Sequence, residues 1–391
     1  MSDPGCNIVV TGVSLFDGMA SSTRVRNLFE PLIKMNLVTA SNLVFETDNK
    51  EPIGRQGKLN DIEFEVIGFR LANFFSIFSF WYRGISFLKR NRKRDCKNIL
   101  YNYNYPDLKN IVFILYAKLK GYRIIIDVIE DNRYESHISF INKARLKTSI
   151  FLFRFSRYFV HTYVAISEHL RQRCQEISKD RVPVHLIPVT VNLNYFKNEG
   201  YEPDRNNLKI FYGGSFGEKD GLGYLVDAFD EVCKTDSRVK LILTGAGNNR
   251  DVEKIKQRIE NSPNRDRVIF MGFLSISDYY ATLNSCDIFC MTRINSRFAN
   301  AGFPFKLGEF LATGKGVIAT NVGDVSSYLE DGVNALLISP NTVNELANAI
   351  LTFINEPGKI KLLGAGARKT AETNFDSEKV GLRLLSIFRS A

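Results

Sequence analysis

Lys306 and Glu309 stand three residues apart in the run Phe303-Pro304-Phe305-Lys306-Leu307-Gly308-Glu309. On a helix that Pro304 can start and Gly314 can stop, that spacing puts both side chains on one face of the first turn. A cation for phosphate then lies beside a carboxylate for a diol; an exposed surface ion pair would use the same spacing. Upstream, Ile210 to Gly221 reads as a strand, a turn carrying Gly213, Gly214 and Gly217, and a helix opening near Leu222. Glycines allow close backbone approach, and a helix N-terminus offers N–H groups to an anion, although a tight turn without a ligand looks the same. A further strand runs into Thr244-Gly245-Ala246-Gly247, but Arg250 occupies the third glycine position of a dinucleotide fingerprint. That substitution disfavours a nicotinamide oxidoreductase, and the lack of a Walker-A sequence removes the ordinary P-loop kinase.

In the first half, the acid-rich run after a strand, Asp127-Val128-Ile129-Glu130-Asp131 with His137 beyond, sits where open α/β sheets bind ligands. Glu130 is the first candidate to position a reacting hydroxyl, with Asp127 and His137 behind it; the alternative is that Glu130 and Asp131 cap a helix. Asp17 and Gly18 fall in the first strand-to-helix loop. Arg24 and Arg26 follow them, facing either an acceptor phosphate or solvent.

The elements that must hold these groups are short β-branched runs alternating with amphipathic segments, the pattern of parallel α/β architecture. Seven strand candidates run from Ile8–Thr11 to Val184–Pro188, and six more from Lys209–Tyr212 to Ala335–Ile338. The polar stretch 198–207 reads as a linker. The expected organisation is two tandem Rossmann-like domains facing a cleft, at 1–196 and 208–374, with a final helix in 375–391 that either completes the second domain or crosses back to the first.

The 391 residues carry 52 Lys and Arg against 42 Asp and Glu, a formal charge of +10, with 30 Phe. Such a chain favours an anionic partner: nucleic acid, a phosphorylated molecule or an anionic membrane. From Arg70 to Asn98 eight basic residues oppose the single acid Asp95, interleaved with six Phe or Trp, and 143–163 repeats the mixture. That combination suits a membrane headgroup region, whereas no nucleic-acid module accompanies the charge; an amphipathic helix packing its Phe face on the sheet is the plainer reading. Scattered cysteines indicate a reducing compartment, and neither a secretion signal nor a spanning segment of roughly 20 apolar residues is visible.

The order of these motifs, ending in F-P-x-K-x-x-E-F-x-A-x-G-x-x-V-I-A-T, resembles the donor domain of retaining GT-B glycosyltransferases of family four. Ser167-Glu168-His169-Leu170 and the run Val184 to Phe196 resemble upstream segments of that family, so the likeness covers nearly the whole chain. The resemblance implies transfer of a hexose from a nucleotide sugar, UDP- or GDP-linked, with no cofactor. It assigns Lys306 to the donor diphosphate, Glu309 to the ribose, the turn at Gly213, Gly214 and Gly217 to the phosphates, and Gly245, Gly247 and Phe273 to the base. Lys219 is the remaining cation of the turn; Arg297 is the candidate for a missing clamp, with Arg293 as fallback. Two positions depart from the family: Ala301 replaces a sugar-contacting Glu, and Gly316 a Pro. Without a D-x-D sequence, the expected chemistry is metal-independent, with Lys306, Arg297 and backbone amides stabilising the leaving diphosphate and retention by front-face attack. The expected partners are a nucleotide-sugar donor, a lipid-linked or saccharide acceptor of surface polysaccharide or glycolipid synthesis, and an anionic membrane surface, without nucleic acid. The expected location is cytoplasmic, peripheral on the membrane's inner face. The alternatives are a soluble transferase with a small acceptor and a nucleotide-sugar-binding relative without activity.

Overall fold

A computed structural model of the chain describes residues 5–16, 19–46, 51–68, 76–134, 140–197 and 200–391. It divides into two compact units, Met1–Thr190 with Ser377–Ala391, and Val191–Asp376.

The first unit holds β1 (Cys6–Thr11), β2 (Val38–Glu46), β3 (Gln56–Leu59), β4 (Ile62–Gly68), β5 (Lys97–Tyr103), β6 (Arg123–Val128), β7 (Thr162–Ala165) and β8 (Val184–Leu186). They form one sheet in the order β3-β4-β2-β1-β5-β6-β7-β8. All neighbours are parallel except β3 and β4. Strands covered on both faces by helices need no polar face, which is why β1 is buried at every position. The antiparallel edge strand β3 was not anticipated: Gln-Gly-Lys-Leu lacks β-branched residues, and its register is set by Asn60 and Asp61, both at positive φ, in a two-residue hairpin turn.

Chain direction reverses across the sheet between β1, which leads to β2, and β5, which leads to β6. Here Gly12 adopts φ +83°, and a Cβ on it would stand 2.6 Å from Tyr103 O, so the loop after β1 crosses the end of β5 only as glycine. The helix Ser377–Ser390 belongs to this unit and lies along Ala20–Lys34, with Phe388 stacked on Phe29 and close to Tyr101.

The second unit holds β9 (Lys209–Ser215), β10 (Lys240–Ala246), β11 (Val268–Gly272), β12 (Ile288–Met291), β13 (Gly316–Thr320) and β14 (Leu336–Ile338), parallel and in the order β11-β10-β9-β12-β13-β14. All six were legible as apolar runs. The helices Leu222–Thr235 and Val343–Asn355 pack Phe229, Val226, Ile350 and Phe353 onto Ile210, Leu241, Ile288 and Ile318. The order reverses between β9 and β12, so the loops after these two strands meet at a topological switch point. The polar stretch read as a linker is tied to this unit, Tyr201 donating to Asp287 at 2.6 Å and lying beneath the Lys315 ammonium.

Candidate functional site

In the second unit the sequence candidates gather at the carboxyl ends of the strands. β9 ends in Gly213, Gly214 and Ser215, and β10 in Gly245 and Ala246, paired in register. Gly245 has φ +140°, and any Cβ there would collide with Gly214 O; at Gly214 a Cβ would stand 2.8 Å from Lys306 Nζ and 2.6 Å from Tyr212 Oη. Gly245 is thus required by the approach of two backbones, whereas a side chain at Gly214 would have to displace the Lys306 head and the Tyr212 hydroxyl. Gly247 lies against Phe216, and Gly217 opens the short turn Glu218–Asp220. Phe273, just past the end of β11, is 58% exposed.

The helix Phe305–Ala312 begins after Pro304 and is closed by Gly314 at φ +66°, so Lys306 and Glu309 share its first turns. Both are half-buried. Burial lowers the Lys306 ammonium to about 8; Asp220 and Glu309 oppose this, while Arg293 and Lys219 reinforce it. Burial also raises the Glu309 carboxyl, against hydrogen bonds from Tyr279 at 2.8 Å and Tyr280 at 3.1 Å and the charge of Lys306. These tyrosines come from the helix Ile276–Ser285, and no spacing in the sequence links them to a residue some thirty positions on.

The second cation at this place is Arg293, which follows β12. Its guanidinium is largely buried, 4.0 Å from Asp220 and donating to Ala299 O. Asp220 also accepts from Ser215, and Thr292 donates to its carbonyl at 2.8 Å, closing the β9 and β12 loops on each other. Arg297 is exposed at the start of the helix Arg297–Ala301, capped by Ser296. The fallback residue, rather than the first choice, therefore joins Lys306. Lys219 lies over the Phe298 ring at 4.3 Å. Two basic side chains, a tyrosine-held carboxylate and glycine-lined backbone at a switch point can hold a diphosphate and a diol side by side. One departure has a physical reason: Gly316 N donates to Asp287 O, which a proline could not do. Ala301 is buried.

In the first unit, the structure corrects the reading of Asp127. Its carboxylate is wholly buried and saturated by Arg24 at 2.7 and 2.9 Å and by Tyr101 at 2.6 Å. Arg24, equally buried, also donates to Pro188 O and Ile187 O. The pair ties a helix, β6 and the segment after β8 together, and it reaches neither acceptor nor solvent. Glu130 is half-buried two residues past β6. Beside it Asp131, which the sequence reading considered only as a helix cap, is buried, accepts from Arg133 at 2.6 and 2.9 Å and contacts His169 Nε2 at 3.1 Å. Burial would raise the Asp131 carboxyl, but the bonds from Arg133 and His169 hold it below its ordinary value. His169 follows the N-cap Ser167 at the carboxyl end of β7; it had been noted only as part of a family-like segment. Asp17, Gly18 and His137 lie outside the described residues.

On the basic aromatic stretches, Phe80 and Phe87 are buried on the helix Ser76–Arg90, as the packing reading expects, while Phe78 and Tyr82 are exposed. Phe74 and Phe75 lie outside the described residues. Among the described residues no helix is long and apolar enough to cross a membrane.

Residues 207–356 match the family model described as Glycosyl transferases group 1. An uncharacterized glycosyltransferase of Methanocaldococcus jannaschii is 27% identical over 62% of this chain and 64% of its own length; a second from that organism is 24% identical over 46% and 44%. The poly(ribitol-phosphate) alpha-N-acetylglucosaminyltransferase of Staphylococcus aureus is 26% identical over 43% of this chain and 33% of its own. The chain thus spans less than two thirds of the length of these curated relatives. Among solved structures, sucrose-phosphate synthase from Thermosynechococcus elongatus superposes with a TM-score of 0.76 at 18% identity, covering 98% of both chains. The Anabaena protein HepE in complex with UDP and glucose gives 0.73 at 18%, covering 98% of this chain and 99% of its own. The likeness identifies the two-unit architecture as GT-B.

Proposed function

We propose that this chain, a GT-B protein whose residues 207–356 belong to the group 1 glycosyltransferases, transfers a sugar from a nucleotide sugar to a saccharide acceptor. The observation that carries the reading is the placement of Lys306, its ammonium against the Gly214 backbone at the β9–β12 switch point with Arg293 beside it. Departure of a nucleoside diphosphate leaves negative charge on the β-phosphate, and fixed cations and amides aimed at that charge lower the barrier without a metal ion. Lys306 and Arg293 hold the diphosphate, Glu309 accepts the ribose hydroxyls, and Phe273 and Gly247 flank the base. The leaving phosphate takes the acceptor proton as the hydroxyl attacks the same face, so the anomeric configuration is retained. The alpha linkage in the name of the Staphylococcus relative is what retention from an alpha-linked donor gives. Glu130, with Asp131 and His169 next to it, orients the acceptor hydroxyl. The exposed Phe78 and Tyr82 beside the basic run Lys89 to Arg94 support a lipid-linked acceptor of a surface polysaccharide or glycolipid pathway, met at an anionic membrane surface.

The test is release of nucleoside diphosphate from a panel of UDP- and GDP-sugars with a saccharide acceptor. Wild type turns over with one base and Lys306→Ala does not. Nucleotide binding without turnover across the panel sinks the transferase reading in favour of a nucleotide-sugar-binding protein.

A further inference from the structure

The two cations at the β9–β12 switch point have open valences. Among the described residues Lys306 Nζ has no hydrogen-bond acceptor, and the Arg293 guanidinium has one, Ala299 O at 3.3 Å. The carboxylate of Asp220 faces both. It lies 4.0 Å from Arg293 Nε, beyond hydrogen-bond reach, and its charge is the largest of those that support the Lys306 ammonium against burial, ahead of Glu309.

Asp220 is 9% exposed, and its side chain accepts one hydrogen bond, from Ser215 at the end of β9. The fold uses this residue through its backbone. Asp220 N donates to Gly217 O at 3.0 Å, and Thr292 donates to Asp220 O at 2.8 Å. Those bonds close the β9 turn on the β12 loop and survive a change of side chain. Arg293 is held by Ala299 O, so the carboxylate does not steer the guanidinium through a hydrogen bond either. A carboxylate kept out of water at a cost, and not required by the turn that carries it, acts here through its charge.

That charge distinguishes two ligands. In a nucleotide sugar the diphosphate is esterified at both ends and carries one negative charge on each phosphate; once the sugar has left, the terminal phosphate carries a further one. A fixed carboxylate beside the two cations therefore opposes the spent nucleoside diphosphate more than the incoming donor. Cations alone would hold the product more tightly than the donor, and release of product limits turnover in many enzymes.

We propose that Asp220 is an internal counter-ion that competes with the diphosphate for Lys306 and Arg293, weakening the hold on the spent nucleoside diphosphate more than the hold on the donor. This role rests on the reading of Lys306 and Arg293 as the diphosphate clamp and adds what limits that clamp.

UDP and GDP, each alongside its glucose ester, are titrated calorimetrically into the full chain at about pH 7, below the Lys306 value of about 8. Asp220→Asn and Asp220→Ser both remove the charge and keep the backbone bonds. Both should bind the diphosphate of the preferred base roughly tenfold more tightly than wild type, and its glucose ester more tightly by a smaller factor. With the supporting charge gone Lys306 titrates lower, so proton uptake on binding should extend to lower pH, a readout that a purely structural residue would not move. Diphosphate affinity that is unchanged or weaker in both variants, while Lys306→Ala binds less tightly than wild type, overturns the counter-ion and leaves the clamp standing. Equal tightening of diphosphate and glucose ester overturns the selectivity against product. Affinity that Lys306→Ala leaves unchanged overturns the clamp, and the counter-ion with it.

Discussion

Lys306 is the candidate site cation whose chemistry its surroundings displace. Its ammonium titrates near 8 in the free chain instead of 10.5 because burial and two neighbouring cations disfavour the charge. A bound diphosphate reverses that balance and returns the group toward its ordinary value. Between those two values, binding must then draw a proton from solution, and affinity must fall as pH rises through the window. Calorimetry of UDP binding in buffers of different ionisation enthalpy should show proton uptake near pH 8.5 to 9. Lys306→Arg, always charged, should bind with a flat profile; uptake equal in both proteins would remove Lys306 from the phosphate. In the unliganded chain the sign for stability is fixed by the same shift. The unfolded state holds more protons across this window, so the group's burial costs stability below it and the cost disappears as pH rises through it. Arg24 presents the opposite case, a buried cation that keeps its charge because Asp127 and two carbonyls surround it. Removing one partner of such a pair leaves an uncompensated charge, so Arg24→Met should cost about 3–5 kcal/mol in denaturant unfolding, and Arg24→Met with Asp127→Asn substantially less.

At the scale of elements, the donor-side turn is held by backbone contact, and Gly245 is its narrowest point. Ala there would combine a φ of +140° with a Cβ driven into Gly214 O, pushing β10's end away from β9. Gly245→Ala should lose about 1–3 kcal/mol of stability from the backbone alone and weaken UDP binding as Gly214 shifts from Lys306; an unchanged UDP affinity in calorimetry would place the phosphates elsewhere. The same elements show what the sequence could disclose. Buried parallel strands need unbroken apolar runs, so β1 and β9 to β14 were readable in one dimension, as was the helix carrying Lys306 and Glu309 between Pro304 and Gly314. β3 was not, because an edge strand held by a two-residue turn needs no such run. Asp127 was misread because an acidic residue at a strand end looks alike whether it faces a substrate or a buried arginine a hundred residues earlier. Tyr279 and Tyr280 with Glu309, and His169 with Asp131, share this difficulty: each acts through a partner on another element, and the spacing of neither partner records the contact.

For the whole molecule, the most consequential element is the last. Ser377–Ser390 follows the second unit in sequence yet completes the first, placing Val380, Leu384, Leu385 and Phe388 in its core. Gly381 permits this closeness, since a Cβ there would already stand 3.0 Å from Leu28 O. At about 1.5–3 kcal/mol for each fully buried large side chain, these four together contribute an amount comparable to the whole stability of a typical domain, about 5–15 kcal/mol. A chain ending at Asp376 should therefore lose the cooperative unfolding of its first unit and expose Phe29 and Leu32 of the helix Ala20–Lys34. The second unit keeps its own sheet and core in that chain, including Lys306, Arg293 and the glycine turn. The truncated chain should accordingly show a single surviving transition that UDP still shifts upward. Loss of the UDP-sensitive transition with the first unit's transition preserved would mean that the terminal helix supports the other unit instead.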